Sequence, residues 1–523
     1  MSSPQTNYHQ GGEEIMPQGV LSFQYEKEES ERGMTALAGL PTYLDLAHVS
    51  GLARSIHEHL QIKQGGQGWT DQEIVLSLVM LNLAGGDCVD DLKILAKDEG
   101  FCRVLHRVKT HGLPRKERRE LERRWRKEKK CAVPSPSPVF RYLAAFHDKE
   151  QEKLRQTGKA FIPAPNEHLA GLMKVNRDLL SWLQKKNEKK TATIDGDATL
   201  AETNKANALH CYKHYKAYQP LNMWWAEQGV MAYTEFRDGN VPAGYQQLRV
   251  VKEALTNLPE GIEKAYFRSD TAGYEAELLK YFAKGENERF GIIEFAVGAD
   301  VTTAFKKSVS ELAERDWKPL LKEIKGEMEK TGQEWAEVCF VPSWAGHSKN
   351  GPEYRYLAIR EPLAQISLPG IETQKELPFP TMEFGQKGSY KLFGIVTNRK
   401  IDGGELIRWH RERCGKSEEA HSIMKEDLAG GKLPSGDFGE NAAWWSIMVL
   451  ALNLNELMKR LVLGGSWANK RLKAIRYALI NLPAWVRERS RRLVVRLSKG
   501  HPSFETLLQM RHKIMMLADC ATG

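Results

Sequence analysis

Two carboxylates stand in a short run that otherwise has the composition of a β-strand. The run covers residues 193–200 (TIDGDATL), and its acids are Asp195 and Asp197. Aspartate is depleted in strands, and a half-buried carboxylate loses hydration unless it is paired or bound to a cation. Mg²⁺ is held by one or two carboxylates together with substrate phosphate oxygens. The run therefore indicates metal-assisted phosphoryl transfer on a nucleic acid.

Two more acids extend this set. Asp270 follows a predicted strand at 264–267, at the carboxyl end where open α/β sheets bind ligands, although an Asp there is also a common helix N-cap. Glu418 lies on a predicted helix with His421 and Lys425, and offsets of three, four and seven residues share one face. Taken alone this is an ordinary polar face. Beside two strand-end aspartates, Glu418 becomes a candidate metal ligand and Lys425 a phosphate contact.

The chemistry requires these residue types. Two Mg²⁺ ions about 3.5–4 Å apart can activate a water or a 3′-hydroxyl and stabilise the leaving oxygen. Three carboxylates supply the negative charge that holds both ions and leave coordination positions for the scissile phosphate. Sequence spacing alone does not show that the three acids meet.

The basic residues are concentrated in two segments. The chain has 523 residues, a length that predicts two to four domains, and a net charge of +9. Residues 115–130 hold ten Lys or Arg against four Glu, and residues 459–499 are also basic, with Trp467 and Trp485 interspersed. One such run is often only a solvated helix face. Two of them near aromatic residues favour a polyanionic partner.

Two classes of protein are disfavoured by the composition. The sequence has no run of 18 apolar residues and no leader pattern, so we expect neither a membrane span nor secretion, but a cytoplasmic protein. The seven cysteines are scattered and form no CxxC pair, which argues against a disulfide framework and a zinc site.

The periodicity changes along the chain. Helical spacing dominates before residue 190, and Thr70 with Glu73 forms a capping-box signature at the start of one helix. Strands in a meander and then strands alternating with helices follow, which predicts a mixed sheet flanked by helices. A second β-rich stretch spans about 333–398, and the rest is predicted to be helical.

Four segments resemble the DDE transposases of bacterial insertion sequences, in the transposase DDE group one family. They are TIDGDAT (193–199), FRSDTAGY (267–274), the block 411–454 that begins RERCGKSEEAHSIMKEDLAGG, and DQEIVLSLVMLNLAGGDCVDDLKILAKD (71–98). The long block at 411–454 is the most specific of these. The resemblance implies a ribonuclease-H-like core with three metal-binding acids and a β-rich insertion before the third.

The family pattern assigns the acids residue by residue. Asp197 matches the first acid through its Asp-Ala-Thr context, with Asp195 as the rival. Asp270 matches the second. Glu418 is preferred to Glu419 as the third, because Lys425 then follows seven residues later, as in Tyr-x2-Arg-x3-Glu-x6-Lys. The chain departs from that signature, since Trp409 or His410 replaces the Tyr and Arg413 lies five residues before Glu418.

The expected fold class is multidomain α+β, with a helical N-terminal region, a ribonuclease-H-like mixed α/β core carrying a β-rich insertion, and a helical C-terminal region. The expected boundaries are a disordered tail (1–33), a helical DNA-binding region (34–185), the first core part (186–330), the insertion (331–400), the last core part (401–465) and a basic helical region (466–523).

The resemblance implies metal-dependent cleavage at insertion-sequence ends and strand transfer into target DNA, in the bacterial cytoplasm. Two Mg²⁺ ions, replaceable by Mn²⁺, would bind Asp197, Asp270 and Glu418, with Asp195 as a further candidate. The partners would be double-stranded terminal inverted repeats and target DNA, and the enzyme a homodimer or larger. Candidate DNA contacts are Lys425, Arg413, Arg411, His421, Trp344, Arg123, Arg124 and Arg126.

Alternatives remain open. Trp344 has two interpretations, a residue that stacks on an unpaired base and an ordinary core residue. The rival functions are a transposase-derived DNA-binding protein without catalysis and a metal-dependent nuclease that cuts without joining. A metal-dependent sugar transferase also uses a DxD motif, but it would not need the basic segments.

Overall fold

The computed structural model describes residues 33–62, 68–128, 131–156, 158–324, 326–345, 353–363, 379–384, 388–490 and 492–518. For residues 124–128 the description covers the backbone only. All but the last residue of the predicted tail (1–33) therefore lies outside the described residues.

Helices dominate the N-terminal region, as predicted. The third helix begins with the predicted capping box, in which the Glu73 backbone N–H donates to the Thr70 hydroxyl and the Thr70 N–H donates to the Glu73 carboxylate. It ends at Gly85, whose φ of 100° is the left-handed conformation that glycine favours. The elements are β1 (Met34–Thr35), α1 (Pro41–Val49), α2 (Leu52–His59), α3 (Asp71–Ala84), α4 (Leu92–Lys97), α5 (Glu99–Lys109), α6 (Arg115–Glu128), α7 (Pro136–Leu143), α8 (Lys149–Leu154) and α9 (Glu167–Lys186).

A mixed sheet forms the centre of the molecule and confirms the predicted fold class. Its first strands run in the order β6-β5-β2-β7-β8, with β2 antiparallel to β5 and parallel to β7. The elements are β2 (Thr191–Ala198), β3 (Ala201–Glu202), β4 (Ala217–Tyr218), β5 (Leu221–Trp225), β6 (Val230–Glu235), α10 (Gln247–Thr256), β7 (Lys264–Ser269), α11 (Ala276–Lys284), β8 (Glu294–Ala299) and α12 (Thr303–Ser310).

The β-rich insertion continues this sheet beyond β8. Its strands are β9 (Lys318–Ile324), β10 (Glu327–Val338), β11 (Arg355–Pro362), β12 (Thr381–Glu383) and β13 (Ser389–Thr397). β13 pairs antiparallel with β8, and the order then runs β13-β11-β10-β9, with β12 on β13. The insertion and the core therefore share one layer of hydrogen-bonded strands.

The C-terminal part returns to helices. They are α13 (Gly403–Arg411), α14 (Lys416–Ser422), a π-helical turn (Ile423–Asp427), α15 (Phe438–Leu457), a π-helical segment (Met458–Leu463), α16 (Leu472–Ile475), a π-helical turn (Arg476–Ile480) and α17 (Phe504–Leu517). Every residue of α15 is buried, since it packs against α3, α9 and β6. This helix joins the N-terminal helices to the sheet.

The predicted helical region at 466–523 is wrong between 484 and 496. The chain forms an antiparallel hairpin there, β14 (Ala484–Arg489) and β15 (Arg492–Arg496), and β14 also pairs with β1. Buried Ala484 and Val486 alternate with more exposed neighbours. This period of two suits a half-buried strand rather than a helix. The sheet that results joins the two ends of the described chain.

Among the described residues, no single helix is long and apolar enough to cross a membrane. One bent pair, 71–84 with 89–97, meets the same test by length and composition.

We expect Asn453→Leu to lower the free energy of unfolding by about 2–4 kcal/mol, because buried polar groups would lose their partners. Asn453 on α15 accepts a hydrogen bond from the Met231 backbone N–H (2.8 Å) and donates one to the Met231 carbonyl (2.9 Å). These two bonds satisfy backbone groups of the edge strand β6. Urea unfolding measures the change. Asn204→Leu, at an exposed position, is the matched control, and an equal loss in both variants would contradict this role.

Candidate active site

The first two predicted acids lie together at the ends of neighbouring parallel strands. In the register of β2 and β7, Gly196 is opposite Ser269, and Asp197 and Asp270 each come one residue later. Both aspartates line one surface cleft of about 650 Å³. This position, the carboxyl end of parallel strands, is where open α/β sheets bind ligands.

Asp195 lies one step further back and is fully engaged by an arginine. The guanidinium of Arg268 donates from Nε to Oδ1 (2.6 Å) and from a terminal nitrogen to Oδ2 (3.0 Å) of Asp195, and both side chains are buried. A bidentate pair of this kind satisfies both oxygens. The pairing favours Asp197 over Asp195 as the metal ligand.

The electrostatics of the aspartate pair fit a divalent cation. Burial raises the pKa of Asp197 and of Asp270, and the Asp197 charge raises the pKa of Asp270 further. Arg413 acts in the opposite direction on both carboxyls. A cation between two partly buried, mutually repelling carboxylates would relieve both the repulsion and the desolvation.

Asp270 is also an N-cap, as the alternative interpretation of its position predicts. Its Oδ1 accepts a hydrogen bond from the Ala272 backbone N–H (3.0 Å), which opens the 3₁₀ turn Thr271–Gly273. The turn is packed closely, since a Cβ placed on Gly298 of β8 would lie 2.9 Å from the Thr271 nitrogen. Capping and cleft lining are thus two properties of one side chain.

Glu418 lies on α14 and is exposed, as is Glu419. The Glu418 charge acts on Asp197 and His421, whereas the Glu419 charge acts on Glu456. Of the two, Glu418 is therefore the one close enough to act on Asp197. The carboxylate oxygens of Asp197, Asp270 and Glu418 do not all lie within 4.8 Å of one another.

Over the described residues, the only three-residue group that meets this distance is Glu58, His59 and Asp178 in the N-terminal helices. There, Asp178 Oδ2 already accepts hydrogen bonds from the Ser55 hydroxyl and from His59 (2.8 Å). These bonds explain the cluster as an internal polar network.

A buried chain of hydrogen bonds orients His421. The indole N–H of Trp445 can only donate, and it donates to the Thr234 hydroxyl (2.9 Å). The Thr234 hydroxyl donates to Asn222 Oδ1 (2.7 Å), an amide oxygen that can only accept, and the Asn222 amide N–H donates to His421 Nε2 (3.1 Å). His421 must then carry its proton on Nδ1.

The protonated nitrogen of His421 faces the first acid. Nδ1 lies 3.8 Å from Asp197 Oδ2, which also accepts a hydrogen bond from the Ser417 hydroxyl (2.8 Å). Burial and the Lys425 charge lower the pKa of His421 to about 4, so the ring is neutral at pH 7. The Ser417 hydroxyl thus holds one oxygen of Asp197, as outer-shell partners do for metal ligands, and the neutral His421 ring stands next to it.

Two candidate phosphate contacts lie at the same site. Lys425 stands on the π-helical turn after α14, and its Nζ donates to the Leu200 carbonyl (3.3 Å) just beyond β2. Arg413 is partly buried, and its Nε has no hydrogen-bond partner among the described residues. An unpartnered guanidinium donor next to two carboxylates suits a bound phosphate oxygen.

His410 is one of the two residues, with Trp409, that stand where the family pattern has Tyr. Its Nε2 lies 2.9 Å from the carbonyl oxygen of Ser269, directly before Asp270. Burial lowers the pKa of His410 to about 3, so the neutral ring donates this hydrogen bond. This hydrogen bond holds the backbone directly before Asp270.

The remaining predicted contacts lie elsewhere. Trp344 packs edge-on against Tyr274 and Tyr354, with ring centroids 6.1 and 5.2 Å away, as a core aromatic does. Arg411 ends α13 and has Cys414 and Glu361 as electrostatic neighbours. Arg123 is exposed on α6, which also carries Arg124 and Arg126, whose side chains are outside the description.

Sequence reasoning missed the residues that hold the acids in place, namely Arg268, Ser417, Asn222, Thr234 and Trp445. Arg268 had a signal in the sequence, because a charged residue two positions before Asp270 in an otherwise apolar strand needs a buried partner. The others act across elements far apart in the chain, and their spacing carries no signal.

Asp195→Asn should destabilise the protein by about 3 kcal/mol, because it leaves the buried Arg268 guanidinium without its main counter-charge. Urea unfolding gives the value. The control is Asp90→Asn, which breaks an exposed ion pair with Lys93 and should cost less than about 1 kcal/mol. Similar losses in the two variants would show that Asp195 is not a structural anchor.

The ¹⁵N spectrum of histidine-labelled protein should show His421 protonated on Nδ1 alone and uncharged down to about pH 4. Thr234→Val removes the middle of the hydrogen-bond chain and should shift the His421 resonance. The spectrum of His421→Gln, which lacks this resonance, gives its assignment. Thr256→Val, on the exposed face of α10, should not shift it. Protonation on Nε2 in the unaltered protein would refute the chain of donors.

Comparison with known proteins identifies the family of the chain but not its site residues. No curated protein matches the chain. The solved structure described as the cryo-EM structure of the piggyBac transposase synaptic complex with hairpin DNA is 12% identical, with a TM-score of 0.38; the match covers 94% of this chain and 83% of that chain. The family model for the transposase DDE domain group 1 matches residues 28–519. Since that match spans nearly the whole sequence, the chain belongs to the transposase DDE domain group 1 family.

Proposed function

We propose that this chain is a cut-and-paste transposase of a bacterial insertion sequence. It would cleave DNA at the element's ends in a metal-dependent reaction and join the freed 3′-hydroxyl to target DNA. The observation that carries the proposal is the pair Asp197 and Asp270 at adjacent strand ends, in one cleft, with the Glu418 charge on α14 close enough to act on Asp197.

Asp197, Asp270 and Glu418 would hold the metal, Mg²⁺ or in its place Mn²⁺, with two ions expected. When bound, such ions activate the attacking oxygen and stabilise the leaving oxygen in an in-line displacement. The Ser417 hydroxyl holds the Asp197 carboxylate and the His421 ring stands next to it, which would reduce the reorganisation that metal binding requires.

Arg413 and Lys425 would position the scissile phosphate. Both are cations near the aspartates, and the Arg413 Nε is without a partner among the described residues. A guanidinium can bind two phosphate oxygens at once, whereas an ammonium acts as a point charge. These contacts would orient the phosphorus for attack.

The two basic segments would bind the duplex of the terminal inverted repeats. The helix before the first segment, α5, packs on the C-terminal hairpin of the second, through Arg107–Glu488 (3.0 Å) and a hydrogen bond from Arg103 to the Val486 carbonyl (3.1 Å). The hairpin exposes Arg487, Arg489, Arg492 and Arg496. Phosphate contacts of this kind supply most of the sequence-independent affinity for DNA.

We further propose a homodimer or larger assembly, since two element ends must be held together for joining. The protein would act on chromosomal or plasmid DNA in the bacterial cytoplasm. The rival functions are a nuclease that cuts without joining and a DNA-binding protein without catalysis, and cleavage products together with strand-transfer products separate all three.

The decisive assay uses Mg²⁺, DNA carrying the element's own ends, and variants of each acid. Asp270→Asn and Glu418→Gln should each lower cleavage and joining by at least about 100-fold, the scale seen when one electrostatic stabiliser of a transition state is removed. Both should still bind end DNA. Glu419→Gln is the matched control and should stay active.

Other outcomes reassign the site or the function. An active Glu418→Gln with an inactive Glu419→Gln would move the third ligand by one residue. Unaltered protein that cuts but never joins would be a nuclease, and one that binds without cutting would be a DNA-binding protein.

A further inference from the structure

The loop between β3 and β4 forms one rim of the cleft that holds the aspartates. Residues 210–212 of this loop line the same cleft as Asp197 and Asp270. Tyr212 is 68% exposed, and the neighbouring Lys213 and His214 are exposed as well. An aromatic ring and two potential cations therefore point into solvent beside the proposed site of phosphoryl transfer.

The loop has a defined backbone. The Thr203 N–H donates to the Lys216 carbonyl (3.0 Å), and the Cys211 N–H donates to the Tyr215 carbonyl (2.9 Å). His214 closes the turn with a φ of 67°, in the left-handed region that non-glycine residues seldom adopt. Cys211 is buried directly before Tyr212. These constraints hold the tyrosine outward.

The loop also has a partner on the acid-bearing side. Lys205 donates to the Pro434 carbonyl (3.3 Å), in the segment between the π-helical turn and α15. The rim is thereby attached to the chain that follows Glu418. The position of Tyr212 relative to the three acids is set by the fold.

We propose that Tyr212 is a stacking platform for an unpaired DNA base next to the phosphate at Asp197 and Asp270, with Lys213 against the adjoining backbone. The inference rests on the proposed function, since it takes DNA as the substrate. Every base has a π-face, so an exposed ring binds an unpaired base without regard to sequence. Paired bases inside a duplex hide these faces, which selects an extruded or frayed nucleotide.

Tyr212 suits this role better than Trp344, the tryptophan that the sequence suggested. Trp344 already packs against two tyrosine rings, whereas Tyr212 has a free face at the cleft. The Lys213 ammonium lies 5.7 Å from the Tyr212 ring centroid. An aromatic ring next to cations is the arrangement by which proteins bind single-stranded nucleic acid.

The test uses an end duplex with one unpaired 2-aminopurine beside the cleavage position. Binding of the unaltered protein should quench its fluorescence through stacking. Tyr212→Phe should keep the quenching, whereas Tyr212→Ala should lose it and bind this DNA about 5- to 150-fold more weakly. Ile292→Ala, at another exposed apolar residue, is the control and should behave like the unaltered protein.

Paired DNA and Lys213→Ala complete the design. The Tyr212→Ala loss should be confined to the unpaired probe, and Lys213→Ala should reduce the slope of log affinity against log salt by about one while quenching persists. The stacking role is overturned if Tyr212→Ala lowers the affinity for fully paired DNA by the same factor. It is also overturned if Tyr212→Ala quenches the 2-aminopurine fluorescence as the unaltered protein does. Failure of the unaltered protein to cleave with Mg²⁺ would instead count against the proposed function.

Discussion

The geometry of the site depends on one buried guanidinium. Arg268 of β7 forms two hydrogen bonds with Asp195 of β2, and this pair lies directly across the parallel register of the two strands. The same guanidinium donates to the Trp409 carbonyl (2.5 Å) and to Glu412 (3.0 Å), at the end of α13. Arg268 therefore ties together the three chain segments that carry Asp197, Asp270 and Glu418. If either strand shifted in register, the buried charges of Arg268 and Asp195 would lose each other as partners. The energetic cost of such unpaired buried charges disfavours the shifted register.

The long helix α15 connects the stability of the fold to the orientation of the site. At its C-terminal end, Asn453 satisfies the backbone of the edge strand β6, and nearer its start Trp445 begins the hydrogen-bond chain that ends at His421. Arg476 adds a link, since it donates to the carbonyls of Asn82, Leu83 and Asp427. The ends of α3 and of the π-helical turn thus share one cation, and the N-terminal helices brace the segment that carries Lys425.

Local patterns predicted the elements well and the contacts between them poorly. The strand with Asp195 and Asp197, the capping box at Thr70 and the strand before Asp270 all follow from residue type and spacing. The different environments of Asp195 and Asp197 do not follow from the sequence, because two residues on the same face of a strand have the same spacing pattern. Only the pairing register, which places Arg268 opposite Asp195, distinguishes the two carboxylates. The hairpin at 484–496 was missed since its Arg-rich composition resembles a solvated helix, while its partner strand β1 lies some 450 residues away in the sequence. The roles assigned to Glu418 and Lys425 stay predictions.

The route of the insertion affects how the chain can vary in length. One edge of the central sheet, β6, is covered by α15, whereas the insertion adds β13, β11, β10 and β9 at the opposite edge, directed away from the aspartates. The outermost pair, β9 and β10, is largely exposed and rich in Lys and Glu, which discourages pairing with another chain. Strands added beyond β9 would therefore leave β2 and β7 in place, whereas β9 and β10 themselves also pack on α13. Variation in length is easiest at this outer edge of the sheet, the edge furthest from the aspartates.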